Sequence, residues 1–415
     1  MLRTLVKHTT TQFSGRFVTA LLSFLTTFIL ARFLGAHYYG EYTKVLSYIM
    51  FFYILTDFGL NAIFVRETRG AVVLARQKLP AFISLRLVWG TFLTLLAVFG
   101  IWVLSFLSSG FSPLVRTTTI LITPALLWYS LYLAAQALFQ VELRFVRSAV
   151  ALVVGSVVSF GFILVASQVV VPESEKLVLF SGLAFVIGAA VTTLVAGFFT
   201  NIRVSLSTFT THKNWRVWFT AAAPLGFMLF FNLIYFRIDT LLLTFWRPSS
   251  EIGAYGYAYK FFEFAIAIPT FAMNSAFPLL SKLDVNSPAL RQAFIKLFAG
   301  LTIAAVLVVG IGWVGAPLIV IRPDFSDSVA YVRTLLVGAP VFFLTSPLMW
   351  LFILLNKQRL LMVLYLLAMG LNIGANYLWI PIYGATASAI ITGLTELFVL
   401  VGGVVILVVN WRRTA

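Results

Sequence analysis

Twelve stretches of about 20 or more mostly apolar residues follow one another along the chain. They lie at roughly 13–34, 45–65, 79–107, 114–140, 146–170, 177–199, 217–246, 253–280, 292–320, 330–355, 360–380 and 385–409. Runs of this length are what an α-helix needs to cross the hydrocarbon of a bilayer, and the strict alternation of a β-barrel strand is absent from them. The chain is 61% hydrophobic and 10% charged, against about 25% charge in a soluble domain. A water-soluble globule is therefore excluded, and an all-α polytopic membrane protein is expected. The connections are too short to hold a soluble domain, so the functional groups must lie in or beside the membrane. The first run, about 22 residues long, exceeds the hydrophobic region of a signal peptide and precedes no clear small-residue cleavage site, so it is expected to be a span. There is no cysteine, which excludes disulfides, thiol catalysis and cysteine metal sites.

The net charge of +16 acquires meaning from its placement. With the N-terminus inside, 18 of the 29 basic residues fall in inner segments against three acids, seven fall outside against six acids, and four lie within spans against four acids. Lys and Arg concentrate on the cytoplasmic side of membrane proteins, so both termini are expected to be cytoplasmic. The basic charge then reads as a topology signal with some attraction to anionic membrane lipids, and a nucleic-acid partner is not expected. Twelve spans with both ends inside permit two six-helix bundles, 1–200 and 217–415, joined by a basic cytoplasmic linker at 201–216 that carries Arg203, His212, Lys213 and Arg216. Tyr39-Gly40-Glu41-Tyr42 and Ile252-Gly253-Ala254-Tyr255 sit at equivalent places in the two halves. Parallel repeats of this kind enclose a site between them and work by alternating access.

Charge inside a bilayer costs at least about 2.5–3.5 kcal/mol per residue, so the ionisable residues within spans are the informative ones. In the first span Gln12, Arg16, Thr19, Ser23 and Thr26 are spaced 4-3-4-3 and share one helix face. That face suits a wet interior wall, or else Arg16 snorkels to the interface. In the second, Asp57 and Asn61 are one turn apart, with Tyr53 a turn earlier; a lumen role and a structural interface role are both open. The seventh span holds Asn232, Tyr235, Arg237 and Asp239. Arg237 and Asp239 stand about 200° apart around the helix and cannot pair, so each needs its own partner. Lys260 and Glu263 in the eighth span share a face and form either a self-neutralising pair or part of a ligand site. Asn372 with Asn376, and Thr392 with Glu396, are one turn apart and serve as interhelical hydrogen-bond glue or as polar lumen. Arg86, close to a cytoplasmic span end, is expected to snorkel.

Absences narrow the function. The phosphate-loop pattern G-x-x-x-x-G-K-[ST] and the metal motif H-E-x-x-H are missing, and His8, His37 and His212 are the only histidines. No nucleophile–base constellation emerges. Asp324 and Asp327 are the nearest thing to a loop acid cluster, with nothing else converging on them. An enzyme is not expected, and neither is a metal or an organic cofactor.

Several stretches resemble a known family. Ile29-Leu30-Ala31-Arg32-Phe33-Leu34-Gly35, Tyr39-Gly40-Glu41-Tyr42, Asp57-Phe58-Gly59-Leu60-Asn61 and Arg66-Glu67 look like the opening of the polysaccharide-repeat-unit flippases, within the multidrug/oligosaccharidyl-lipid/polysaccharide (MOP) exporter superfamily. Tyr235 to Asp239, Gly253-Ala254-Tyr255, Ala258-Tyr259-Lys260, Glu263, Pro269, Pro278, Leu371-Asn372-Ile373, Asn376, Ile380-Pro381, Gly384-Ala385 and Thr395-Glu396 continue the likeness over essentially the whole chain. The resemblance implies two six-helix bundles around a cationic cavity in the bacterial inner membrane. It also implies movement of undecaprenyl-diphosphate-linked oligosaccharide, such as an O-antigen unit, from the cytoplasmic to the periplasmic leaflet, driven by protons or sodium. Polysaccharide polymerase or ligase machinery would then take up the product. By the same resemblance Arg16, Arg237 and Lys260 are the candidate cavity cations, with Gln12, Ser23 and Asn232 as polar neighbours. Asp57, Asp239, Glu263 and Glu396 are the candidates for ion coupling or gating. A lipid II flippase and a cation-coupled multidrug antiporter of the same superfamily are the alternatives. The antiporter fits less well, because such a lumen would be dominated by acids, whereas four cations balance four acids here.

Overall fold

Glycine at position 35 adopts φ 67° and ψ 170°, a conformation that L side chains rarely reach, and it breaks the first long helix in two. The computed structural model describes residues 2–200, 215–281, 283, 284, 287–355 and 357–411, with side chains described from Gly15 onward apart from those of Arg16, Pro278, Asn410 and Trp411. The helices are α1 (Leu2–Asp57), α2 (Leu60–Thr68), α3 (Val72–Leu107), α4 (Pro113–Ile122), α5 (Pro124–Val141), α6 (Phe145–Val169) and α7 (Glu175–Thr200). They continue as α8 (Trp215–Trp246), α9 (Ser249–Leu280), α10 (Pro288–Gly315), α11 (Ser328–Leu354), α12 (Gln358–Tyr383) and α13 (Ala385–Trp411). No strand occurs among the described residues.

Among the described residues, ten helical segments are long and apolar enough to cross a membrane. The first two expected spans are joined in one of them, Phe17–Thr68, because residues 36–44, expected as a loop, are helical right up to the Gly35 break. The second expected span, 45–65, is itself interrupted where Phe58 (φ 44°) and Gly59 (φ 75°) turn left-handed between α1 and α2. The eighth, α9, is a 32-residue helix that is not among the ten; its first half carries Glu251, Lys260, Glu263 and three tyrosines. Large apolar side chains remain exposed in helical register, as at Leu95, Phe99, Trp102 and Phe106 on α3 and Ile303, Leu307, Ile311 and Val314 on α10. Apolar faces of this extent belong against lipid. The protein is a multi-pass membrane protein.

The chain forms two units, Met1–Phe230 and Phe231–Ala415, with the division inside α8. The linker expected at 201–216 lies almost entirely outside the described residues.

Helix pairs inside each unit approach closely through small residues, the way lipid-embedded helices gain packing energy without a hydrophobic driving force. In the first unit a Cβ on Gly155 of α6 would run into Thr192 Oγ1 and lie 2.6 Å from the Gly188 carbonyl of α7. In the second, Gly338 of α11 and Gly393 of α13 face each other, and a Cβ on either would lie 2.9 or 3.2 Å from the other's Cα. Aromatic packing joins α2, α3 and α8 in the first unit, where Phe64 stacks on Phe82 at 4.4 Å and Trp218 meets both rings edge-on.

Candidate substrate-binding and coupling groups

In the second unit, α8 and α9 bring three charges together. Arg237 Nη2 pairs with Glu263 Oε1. The other oxygen of the same carboxylate accepts Lys260 Nζ at 3.0 Å. The i,i+3 spacing puts Lys260 and Glu263 on one face of α9, and that face meets Arg237. The guanidinium also lies 5.0 Å from the Tyr259 ring centroid and 5.7 Å from that of Phe236, within cation–π range. All three side chains keep partial exposure, 16% for Arg237, 22% for Glu263 and 27% for Lys260. Two cations share one carboxylate, so the cluster carries a formal net positive charge and is partly exposed.

Arg237 and Asp239 do find separate partners. Asp239, 2% exposed, accepts hydrogen bonds from the Thr240 backbone N–H at 2.7 Å and from the Tyr255 hydroxyl on α9 at 2.5 Å. Glu396 on α13 is also buried and accepts from the Tyr235 hydroxyl at 3.0 Å. Tyr365 of α12 stacks on Tyr235 at 5.7 Å. Among the described residues neither Asp239 nor Glu396 has a cationic partner within ion-pair distance; Asp239 is held by hydroxyl and backbone donors, Glu396 by hydroxyl donors. Asn372 Nδ2 donates to Thr395 Oγ1 at 3.1 Å and Asn376 Nδ2 to Asn372 Oδ1 at 2.9 Å, which ties α12 to α13. Asn232 is partly exposed on α8.

In the first unit the expectation for Arg86 is corrected. It does not snorkel; its side chain is fully buried, because the helix break at Phe58-Gly59 leaves carbonyls that it satisfies. Arg86 Nη1 donates to the carbonyls of Thr56 and Asp57, and Nη2 donates to Asn61 Oδ1 and to Asp57 Oδ1, the latter at 3.0 Å. Trp89 Nε1, one turn further along α3, donates to the Leu55 carbonyl at 2.8 Å. The last carbonyls of α1, which a helix end leaves without partners, are thus capped from α3. Asn61 Nδ2 passes the network on to Gln136 Oε1 at 3.2 Å, and Gln136 Nε2 reaches the Tyr132 hydroxyl at 3.4 Å. Asp57 therefore sits in an ion pair at a helix break.

On the first helix, Thr19 and Thr26 hydroxyls donate to the carbonyls four residues back, those of Gly15 and Leu22, and Ser23 is exposed. The Arg16 and Gln12 side chains lie outside the described residues.

Two charge clusters were not visible in sequence. Glu41 and Lys44, counted there as outer-loop charges, are buried and paired at 2.8 Å, with Lys44 also donating to the Gly110 carbonyl and Glu41 accepting from Ser112. Their i,i+3 spacing was the available signal, hidden by the reading of 35–44 as a loop. Glu251 accepts Arg247 Nε at 2.7 Å and the Ala385 backbone N–H at 2.7 Å. It caps the start of α13 beside Gly384, whose φ is 59°.

Taken together, ten apolar helical segments among the described residues, lipid-facing apolar faces and close helix contacts through small residues define a multi-pass helical membrane protein. The chain belongs to the family described as polysaccharide biosynthesis protein, whose model matches residues 5–284. No curated protein matches it in sequence. Among solved structures it is similar to an inward-facing multidrug resistance MATE family transporter of the MOP superfamily, with a TM-score of 0.76, 14% identity, and coverage of 98% of this chain and 100% of that one. The lipid II flippase MurJ in an inward closed conformation gives a TM-score of 0.71 at 15% identity, covering 95% of this chain and 86% of that one. A MOP superfamily transporter from Pyrococcus furiosus gives 0.66 at 13% identity, covering 99% and 95%. At these identities the likeness is one of fold.

Proposed function

We propose that the protein is a flippase that moves an undecaprenyl-diphosphate-linked oligosaccharide, an O-antigen or other surface-polysaccharide unit, from the cytoplasmic to the outer leaflet of the bacterial inner membrane. In this reading the chain crosses the membrane twelve times, with both termini cytoplasmic, and works by alternating access. The observation that carries it is the partly exposed Arg237–Glu263–Lys260 cluster in a membrane protein of the polysaccharide biosynthesis family. A diphosphate carries about two negative charges and a saccharide many hydroxyls, and neither crosses hydrocarbon without a substitute for its water. Arg237 can fork two phosphate oxygens, while Lys260 acts as a point charge beside it. The polyprenyl tail remains in lipid. Arg16 is proposed as a further cation, with Gln12, Ser23 and Asn232 facing the saccharide.

Protonation or sodium binding at Asp239 or Glu396 is proposed to reset the empty carrier, since both are buried acids without a cationic partner among the described residues. Glu263 is bound to two cations and Asp57 to Arg86, which suits them to gating. A lipid II flippase is the second reading, favoured by the likeness to MurJ, and it would use the same diphosphate cluster. A multidrug antiporter is disfavoured by the net positive charge of that cluster, which repels cationic drugs.

The test is flipping in proteoliposomes loaded with lipid-linked saccharide extracted from the host membrane, read by the access of an impermeant lectin. Arg237→Ala and Lys260→Ala are each expected to slow flipping at least about tenfold, a loss of about 1.4 kcal/mol. Unchanged flipping in both would overturn the assignment, and drug-cation efflux without flipping would favour the antiporter.

A further inference from the structure

Glu263 stands in an unusual position for a residue beside a cationic ligand site. Each of its two oxygens is taken by a different cation, Oε1 by Arg237 Nη2 and Oε2 by Lys260 Nζ. The O–C–O edge of a carboxylate resembles the O–P–O edge of a phosphoryl group, and both accept charge-assisted hydrogen bonds from the same donors. The cations are therefore already arranged around a phosphate-like edge, and the edge belongs to the protein. Resting on the reading of this cluster as the diphosphate site, we propose that Glu263 is an intramolecular competitor of the substrate phosphate. It occupies Arg237 and Lys260 in the empty carrier, yields them to the incoming phosphoryl group, and takes them back when the head group leaves.

Two physical consequences support this role. Cations left bare in a partly desolvated site are costly, and Glu263 removes that cost from the empty state. A substrate that must first displace Glu263 binds with an affinity reduced by the fraction of time the cations are free. The carboxylate thus weakens binding and speeds release. Its neighbours favour such an exchange. Partial exposure of all three side chains leaves room for Glu263 to swing aside. The Tyr259 and Phe236 rings hold the guanidinium from the side, so Arg237 keeps its place when its anion changes.

A merely positioning role predicts the opposite sign: without Glu263 the cations would splay and bind less well. Binding of undecaprenyl diphosphate to the purified full-length protein, with flipping measured in parallel, separates the two. Glu263→Gln, which keeps the volume and drops the charge, is expected to tighten binding about tenfold and to slow flipping. Glu263→Asp, which keeps the charge but shortens the reach, is expected to fall between Glu263→Gln and wild type. Inorganic diphosphate is expected to compete in both wild type and Glu263→Gln, assigning the gain to the phosphoryl group. If Glu263→Gln binds as weakly as wild type or more weakly while Arg237→Ala also loses affinity, the competitor role is overturned and the site stands. If Arg237→Ala binds as tightly as wild type, the diphosphate site itself is overturned. If inorganic diphosphate competes in neither protein, the gain does not come from the phosphoryl group and the proposal falls.

Discussion

Arg86 on α3 and Asp57 at the end of α1 are paired at 3.0 Å, with the guanidinium wholly buried and the carboxylate 34% exposed. The same guanidinium supplies hydrogen bonds to the Thr56 and Asp57 carbonyls where the helix stops. Removing it leaves at least two helix-end carbonyls without their donor and the half-exposed carboxylate without its cation. Arg86→Ala is expected to cost about 3–5 kcal/mol, the range for breaking a buried pair. Arg86→Lys is expected to recover little, because a single ammonium lacks the fork that serves four acceptors. Thermal unfolding in detergent would check both, and a wild-type midpoint for Arg86→Ala would remove this residue from any structural role at the break.

The break itself depends on backbone freedom. Gly59 has φ 75°, and a Cβ there would also lie 3.1 Å from three atoms of the Leu225 side chain on α8. Gly59→Ala is expected to lose about 1–2 kcal/mol from the left-handed conformation alone, with Gly59→Asn losing less because asparagine tolerates that region better. A lowered unfolding midpoint in Gly59→Ala, partly restored in Gly59→Asn, is the expected result.

These two positions mark the boundary of what can be read without coordinates. The apolar runs announce themselves, because a span must be continuously apolar over its whole length. The interruptions do not. Asp57-Phe58-Gly59 lies inside a run that reads as uniformly helical, and the left-handed pair is selected by contacts with α3 and α8 that are remote in sequence. Arg86 is hidden for the same reason. Its linear position near a span end suggests snorkelling, but the carbonyls freed at the break give it an interior partner. The charge cluster of the second unit was half legible. Lys260 and Glu263 declare their shared face by spacing, and the 200° separation of Arg237 from Asp239 requires two partners, yet nothing local says that both partners lie on α9. Residues 36–44 read as a connection because they fall between two apolar runs, whereas one positive-φ glycine at 35 makes the turn and the rest is helix.

Close helix contact in the second unit gives a sharper packing test. Gly338 and Gly393 approach so nearly that a Cβ on Gly338 would lie 2.9 Å from the Gly393 Cα. The obstructing atom is backbone, so relief requires α11 and α13 to move apart. Gly338→Ala is expected to cost about 1–3 kcal/mol, as overpacking does. Gly370, with nothing within 4 Å of its would-be Cβ, provides the control. Gly370→Ala is expected to be neutral or to stabilise by up to about 1 kcal/mol, because the helix loses a flexible residue. Equal unfolding midpoints for the two variants would contradict the tight α11–α13 contact.

Glu396 separates coupling from folding. It is buried on α13 and accepts a hydrogen bond from the Tyr235 hydroxyl of α8 at 3.0 Å. Glu396→Gln keeps the shape and an acceptor oxygen while removing the titratable group, so the fold is expected to survive with an unfolding midpoint near that of wild type. Tyr235→Phe takes away one of the hydroxyl donors to the buried carboxyl, which is expected to cost about 1–3 kcal/mol. If Glu396 carries the driving ion, Glu396→Gln is expected to lose all dependence of flipping on an imposed proton or sodium gradient while still equilibrating lipid-linked saccharide between leaflets. Proteoliposome flipping with and without a gradient reads this directly. Gradient-driven flipping at the wild-type rate in Glu396→Gln would exclude this residue and leave Asp239, the other buried acid of the unit, as the candidate carrier.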